Sequence, residues 1–274
     1  MITSSNNAKV KQVVQWQTKA KERRKDHVFL AEGVRMCEEA PVKSVREVYL
    51  TEELEQKLRQ NAQNGDTAFW DKLQQTGYET VSPEVFAKMA DTQTPQGILT
   101  VLEQPSYDLA QLLEQSEPLF LILENLQDPG NLGTMIRTGE GAGITGVIMN
   151  GQTVDIFNPK TIRATMGSIF RVPFVYVPEL SPVLTQMHEK GIHTYAAHLK
   201  GKEYYDSFSF REPTAFLIGN EGNGLTKEIS DQSGQYLKIP MEGKVESLNA
   251  SIAAALLMYE AHRQRNLNSL HNSK

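Results

Sequence analysis

The chain has 274 residues, 39% of them hydrophobic and 22% charged, and a net charge of −5. That balance is that of an ordinary globular protein and excludes a disordered chain, while a single cysteine, Cys37, excludes a disulfide framework and a cysteine-rich zinc site. No apolar run approaches the ~20 residues of a membrane-spanning helix, and the first seven residues carry no basic segment leading into an apolar core, so the expected setting is the cytoplasm.

The first element is a helix over 9–26. It gathers Lys9, Lys11, Lys19, Lys21, Arg23, Arg24 and Lys25 against only Glu22 and Asp26. A basic segment on an acidic body suits contact with a polyanion, and equally a solvated helix face. A strand over 29–33 follows, then a helix over 34–39 that stops before Pro41, a strand over 45–50, a polar-faced helix over 52–63 and a strand over 78–81. Ser82-Pro83 reads as an N-cap with proline in the first helical position. A strand over 96–103 closes a small α/β domain, and Gln104-Pro105-Ser106-Tyr107-Asp108 reads as a linker.

A different rhythm begins at Leu119-Phe120-Leu121-Ile122-Leu123, an unbroken apolar run of strand length, as expected of a parallel strand buried on both faces. A polar loop over 124–131 leads into a helix over 132–141. A strand over 146–149 and a helix opened by Asn158-Pro159 come next. Strands over 174–177, 193–197, 215–218 and 236–239 and a last helix over 249–266 complete the order. Strands alternating with helices at these spacings imply a parallel sheet with helices on its faces.

Three segments stand out. Asp128 to Arg137 spans a strand exit and a helix start, with Asn131 at the expected N-cap; Arg137 lies six residues on and need not share its face. Gly219-Asn220-Glu221-Gly222-Asn223-Gly224-Leu225 follows an apolar strand directly, where α/β sheets bind ligands, and its glycines let backbone approach a ligand. Ile239 to Asn249 combines a Gly loop, a Ser-Leu-Asn turn and a helix start, offering exposed N–H and C=O groups suited to a purine and a small zwitterion. By contrast, the literal G-x-G-x-x-G over 141–146 follows a helix and precedes a strand. That is the reverse of a dinucleotide-binding turn, so it reads as a helix C-cap. His198 and Cys37 lack partners at metal-ligand spacing, so no metal site is expected.

In this order and spacing the three segments resemble the SpoU branch of the SPOUT-class RNA 2′-O-ribose methyltransferases, over about residues 118–262. More weakly, Phe29-Leu30-Ala31-Glu32-Gly33-Val34-Arg35 resembles the substrate-binding domain often fused to such enzymes. The resemblance implies an α/β fold: a trefoil-knotted, parallel-sheet catalytic domain over 118–266, preceded by a small α/β RNA-binding domain over 1–103 and a linker over 104–117, and followed by a tail over 267–274. It further implies a homodimer that binds S-adenosyl-L-methionine through Gly219, Asn220, Ile239, Met241 and Leu248. Asn131, Arg137, Glu221, Ser247 and Asn249 correspond to the family's active-site polar residues. On this view Arg137 acts as base or as electrostatic positioner, Asn131 orients Arg137 or the ribose, and Glu221 braces one of the two. Lys21, Arg23, Arg24, Lys25 and Arg35 would contact RNA, ribosomal RNA ahead of transfer RNA. A transfer RNA ribose methyltransferase, a knotted base methyltransferase and a non-catalytic ribosome-assembly factor of the same fold stay open as alternatives.

Overall fold

The structure is a computed structural model that describes the backbone of residues 1–271 and the side chains of residues 1–266. The chain divides into two compact units. One is Met1–Pro105 with Asp155–Phe170; the other is Ser106–Val154 with the chain from Arg171 onward.

In the first unit, α1 (Ala8–Thr18) and α2 (Ala20–Asp26) replace the single helix expected over 9–26. The break falls at Lys19, which is extended at φ −124° and ψ 108°. Arg23 accounts for it. Its guanidinium reaches back to the carbonyls of Trp16 (2.7 Å) and Gln17 (3.0 Å), which lie in the last turn of α1 and have no helical partner there. Asp26 closes the pair by accepting from Trp16 Nε1 at 2.7 Å and Gln12 Nε2 at 3.1 Å.

After β1 (Val28–Glu32) and α3 (Val34–Glu39) come β2 (Val45–Thr51), α4 (Glu52–Gln63), α5 (Ala68–Thr76), β3 (Glu79–Val81), α6 (Pro83–Met89) and β4 (Ile98–Glu103). Helix α5 lies in a stretch for which no element was expected. Ser82 caps α6 as its sequence predicts, accepting from Val85 N. The sheet runs β1-β4-β2-β3, antiparallel except for β2 with β3. Period-two alternation divides its residues between two cores. Leu30, Tyr49, Leu99 and Val101 pack with Val10, Val13 and Phe86 of α1 and α6. Val48, Leu50 and Ile98 face Leu54, Leu58, Phe69 and Leu73 of α4 and α5. The segment 155–170, which contains a helix over Pro159–Thr165, joins this unit: Phe157 and Phe170 lie against Phe29, and Asp155 pairs with Arg23 at 2.7 Å.

The second unit contains α7 (Leu109–Leu113), β5 (Leu119–Leu123), α8 (Pro129–Ala142) and β6 (Gly146–Asn150). The helix over Pro159–Thr165 counts as α9 in chain order, and β7 (Phe174–Val177), α10 (Ser181–Glu189), β8 (His193–Ala197) and β9 (Glu203–Tyr204) follow. The chain ends with β10 (Thr214–Ile218), α11 (Lys227–Gln232), β11 (Gln235–Lys238) and α12 (Ala250–His271). The seven strands run β7-β6-β5-β10-β8-β11-β9, parallel throughout, and β5 and β10 are wholly buried. The α/β class and parallel sheet read from the sequence are therefore present. Gly143 caps α8 in the left-handed conformation (φ 74°) and Gly146 starts β6, as the reversed glycine motif implied. Helix α12 continues to His271, past the end expected at residue 266; residues 272–274 of the expected tail lie outside the described residues. Among the described residues no helix is long and apolar enough to cross a membrane.

Arg23 is only 3% exposed and its Nε has no partner, so this cation is structural. Removing one member of a buried ion pair costs about 3–5 kcal/mol. Because Asp155 keeps 23% of its side chain exposed, Arg23→Ala is expected just below that range, about 2–3 kcal/mol by urea unfolding at pH 7. Exposed Arg24→Ala is expected within about 0.5 kcal/mol of the parent. Equal effects of the two substitutions would contradict the assignment.

Candidate active site

Strand order places the site. From β5 the chain works outward to β6 and β7, whereas β10, its other neighbour, leads toward β11 on the opposite side. The loops leaving the carboxyl ends of β5 and β10 therefore part at a topological switch point, where open parallel sheets form a ligand crevice. These are the loops over 124–128 and 219–226, which carry two of the three motif segments.

Glu221 joins them. Its carboxylate accepts from the backbone N–H of Gln127 (3.1 Å) and of Asp128 (2.9 Å) and from Nδ2 of Asn131 (3.1 Å). Burial pushes this carboxyl up, but the Asp128 N–H, the Asn131 amide and the Gln127 N–H outweigh it, leaving Glu221 below its ordinary value. Asn131 Oδ1 in turn accepts from Asn249 Nδ2 at 2.9 Å. Asn249 Oδ1 accepts from Ser251 N and Ser251 Oγ, at 2.8 and 2.6 Å, at the start of α12. One hydrogen-bonded chain, Glu221–Asn131–Asn249, thus brings together the three segments that the sequence singled out.

One expectation is corrected here. Asn131 is not the N-cap of α8. Asp128 is, accepting from Asn131 N at 2.8 Å with Pro129 in the first turn, and the helix starts three residues before the expected 132. The Asp-Pro pair was itself the legible cap signal. As the third helical residue, Asn131 has its carboxamide free for Glu221 and Asn249.

The loop after β10 closes on itself, with Asn220 N to Gly224 O at 3.0 Å and Gly224 N to Asn220 O at 2.9 Å. A Cβ on Gly219 would lie 2.1 Å from the Gly224 carbonyl carbon, so only glycine permits this fold-back. Asn220 shapes the loop from within: its Oδ1 accepts from Gly222 N and Asn223 N, and its Nδ2 donates to Asn125 O at 2.9 Å.

Residues 239–248 present the opposite case. Among the described residues they form no helix or strand, only a turn at Gly243–Lys244, and Ile239, Met241 and Leu248 are half-buried along them. Irregular backbone flanked by apolar side chains can offer the donors and acceptors that read a purine edge. The segment therefore fits the adenosyl part of S-adenosylmethionine. A cleft around His193, Tyr195, Glu203 and Gln235 lies elsewhere in this unit, and none of the predicted site residues lines it.

Arg137 does not join this cluster within one chain. Six residues along a helix turn it about 120° from Asn131 and carry it about 9 Å along the axis. It is exposed and has no ion pair or hydrogen bond among the described residues. Glu221 therefore braces Asn131 and not Arg137. Ser247 is exposed, two residues before Asn249. Of the basic residues expected to meet RNA, Lys21, Arg24 and Lys25 are exposed on α2, and Arg35 is exposed on α3 with Glu39 at 2.9 Å. Arg23 is withdrawn from that set because it is buried and bonded to Trp16, Gln17 and Asp155. Sequence reasoning also missed Asn125, at φ 56°, and its partner Asn150. Among the described residues no group of three or more His, Cys, Asp or Glu could hold a metal ion.

Residues 118–259 match the SpoU rRNA Methylase family, and residues 7–100 match the MRM3-like substrate binding domain. The chain is similar to the 23S rRNA (guanosine(2553)-2′-O)-methyltransferase RlmP of Bacillus subtilis, with 34% identity over 94% of this chain and 97% of that one. Among solved structures it resembles an AdoMet-bound rRNA methyltransferase from Sinorhizobium meliloti (TM-score 0.83, 29% identity, 96% of this chain and 97% of that one). It also resembles the SpoU methyltransferase AviRb from Streptomyces viridochromogenes (TM-score 0.80, 28% identity, 96% of this chain and 99% of that one). The chain belongs to the SpoU rRNA methylase family.

A carboxyl held below its ordinary value stabilises the fold above the unfolded-state pKa, and this contribution is lost as pH falls through the folded-state pKa. Glu221→Gln is therefore expected to lower the urea midpoint at pH 7 and to cost progressively less as the pH falls through the lowered folded-state pKa. A substitution cost that is independent of pH would contradict the ionised brace.

Proposed function

We infer that this protein transfers the methyl group of S-adenosylmethionine to a ribose 2′-hydroxyl of ribosomal RNA. The observation that carries the reading is the Glu221–Asn131–Asn249 chain, which ties both loops of the switch point to the start of α12. RlmP, a relative along nearly its whole length, supports ribosomal RNA ahead of transfer RNA.

The bound cofactor supplies an electrophilic methyl group on a sulfonium. The chain's own part is to place an oxygen about 3 Å from that methyl and to hold the charge that develops as the hydroxyl loses its proton. The irregular backbone of 239–248, with Ile239, Met241 and Leu248, holds the adenosyl end, and the closed loop at Gly219 and Asn220 forms the facing wall. Glu221, with all three of its donors engaged, is a brace and not a base. Asn131 and Asn249 are fixed by it and by each other, and Ser247 stands where a nucleotide can reach its hydroxyl. A guanidinium with a pKa above about 12 is a poor base. Arg137 therefore acts by holding the hydroxyl oxygen and its neighbouring phosphate.

Arg137 reaches such a site from a second copy of the chain. Thr134, Arg137 and Gly141 form one row of α8, and the Tyr259 hydroxyl of α12 lies 2.8 Å from where a Cβ on Gly141 would stand. Beside that row α12 exposes Ile252, Leu256 and Tyr259, spaced as one helix stripe. An exposed apolar stripe adjoining an unpaired arginine suits a twofold interface. The reading includes a homodimer, a trefoil knot in the catalytic domain over 118–266, a linker over 104–117, and work in the cytoplasm where ribosomal RNA is processed. RNA contact falls to the domain over 1–103, through Lys21, Arg24, Lys25 and Arg35.

Label from methyl-tritiated S-adenosylmethionine should enter ribosomal RNA at an alkali-resistant linkage, and label on a base would contradict the reading. Arg137→Ala and Asn131→Ala should each lose at least about 100-fold in single-turnover rate. Co-expressed as mixed dimers, the two variants should recover roughly a quarter of the parent activity, because half the dimers are hybrids with one intact site. No recovery would place Arg137 in the same subunit's site.

A further inference from the structure

The loop that carries Glu221 is fastened at both ends by consecutive residues at the end of β5. At its exit, Glu124, only 5% exposed, accepts from Thr226 N and Thr226 Oγ1, each at 2.7 Å. At its entry, the Asn125 carbonyl accepts from Asn220 Nδ2 at 2.9 Å. Asn125 stands in the left-handed conformation (φ 56°), its carbonyl also accepts from Gln127 Nε2 at 3.0 Å, and Gln127 N–H and Asp128 N–H, just beyond it, meet Glu221. For a residue with a side chain this conformation is sparsely populated and needs support from its surroundings.

The support comes from the end of β6, outside all three motif segments. Asn150 Oδ1 accepts from Asn125 N at 3.0 Å, and Asn150 Nδ2 donates to Asn125 Oδ1 at 2.7 Å. The Asn150 carboxamide is itself held, since Thr153 Oγ1 donates to its Oδ1 at 2.9 Å. Two antiparallel hydrogen bonds fix both the backbone turn and the side chain of Asn125. Beyond Asn125, the contacts run through Asn220 to the loop bearing Glu221 and then to Asn131 and Asn249.

We propose that Asn150 is a positioning residue for methyl transfer: it locks Asn125 in its left-handed turn and thereby sets the Glu221 loop against Asn131. The proposal rests on the reading of Glu221 and Asn131 as active-site residues. The hydrogen bonds of the Asn150 side chain go to Asn125 and Thr153 and not to residues 239–248, so its loss should affect the rate of the chemical step and not cofactor affinity.

The test compares the full-length parent with Asn150→Ala, Asn150→Asp, Asn125→Gly and the pair Asn125→Gly/Asn150→Ala. The readouts are the single-turnover rate on ribosomal RNA, the Kd for S-adenosylmethionine by calorimetry, and the thermal midpoint. Asn150→Ala should lower the rate about tenfold, with the Kd unchanged within about twofold. Asn150→Asp should keep at least half the rate, because it retains the acceptor for Asn125 N–H and the Asn125 amide can rotate to donate. Glycine enters the left-handed region without strain. In the Asn125→Gly background, adding Asn150→Ala should therefore cost less than about threefold. An unchanged rate in Asn150→Ala, or a Kd that rises in step with the lost rate, overturns the proposal. So does a full tenfold cost in the glycine background. Glu221→Gln is run alongside: a parent-like rate there overturns the reading of the site on which the proposal stands.

Discussion

The site depends on one exposed contact between two loops: a single carboxylate, Glu221, receives two backbone N–H groups and a side-chain amide from the loop and helix that follow β5. A parallel sheet brings the ends of β5 and β10 side by side, but the loops leaving them diverge by topology. Nothing in the sheet hydrogen bonding holds them together beyond Ile218 and Leu123. Glu221 closes them together with Glu124, which accepts from Thr226, and the Asn125 carbonyl, which accepts from Asn220. The donors converging on Glu221 overcome its desolvation and hold its carboxyl below the ordinary value. The order of Asn131 and Asn249 follows from it, since each has its other carboxamide atom engaged along the same chain.

The two units divide the chemistry between them. The second presents irregular backbone over 239–248 that runs into the hydrogen-bonded Asn249, which suits a small ligand read through backbone groups. The first presents exposed Lys21, Arg24, Lys25 and Arg35 on short helices over a two-faced sheet, which suits a phosphate backbone met through charge and shape. Residues 155–170, although they fall within the matched methylase segment, join the first unit, where Phe157 and Phe170 lie against Phe29 and Asp155 pairs with Arg23.

Much of the second unit was legible because its signals are local. The apolar run over 119–123, the Asn158-Pro159 start and the Gly143 cap each depend on a few neighbouring residues, and each stands where it was read. The misses have tertiary causes. Lys19 breaks the first helix because Arg23, four residues further on, captures the carbonyls of α1, and that also removes Arg23 from the RNA-facing set. Helix α5 was passed over although Phe69 and Leu73, four apart, bury one face against α4 and β2. Asn131 was read as a cap because its residue type suits one, while the stronger Asp128-Pro129 pair went unused. The motif residues themselves were found from sequence. The links between them, at sequence separations of 90 and 118 residues, exist only once the sheet is assembled. Asn125 and Asn150, which belong to no motif, carried no local signal of their partnership.

The account's central claim is that Asn131 and Asn249 act as one hydrogen-bonded unit anchored on Glu221. A double-mutant cycle on the single-turnover methyl-transfer rate tests it most directly, with Asn131→Ala, Asn249→Ala and the double variant measured on the same ribosomal RNA. Residues that act as a unit are non-additive: the account predicts that the double variant is no slower than the slower single variant. Losses that multiply would contradict it and make the two asparagines independent contributors.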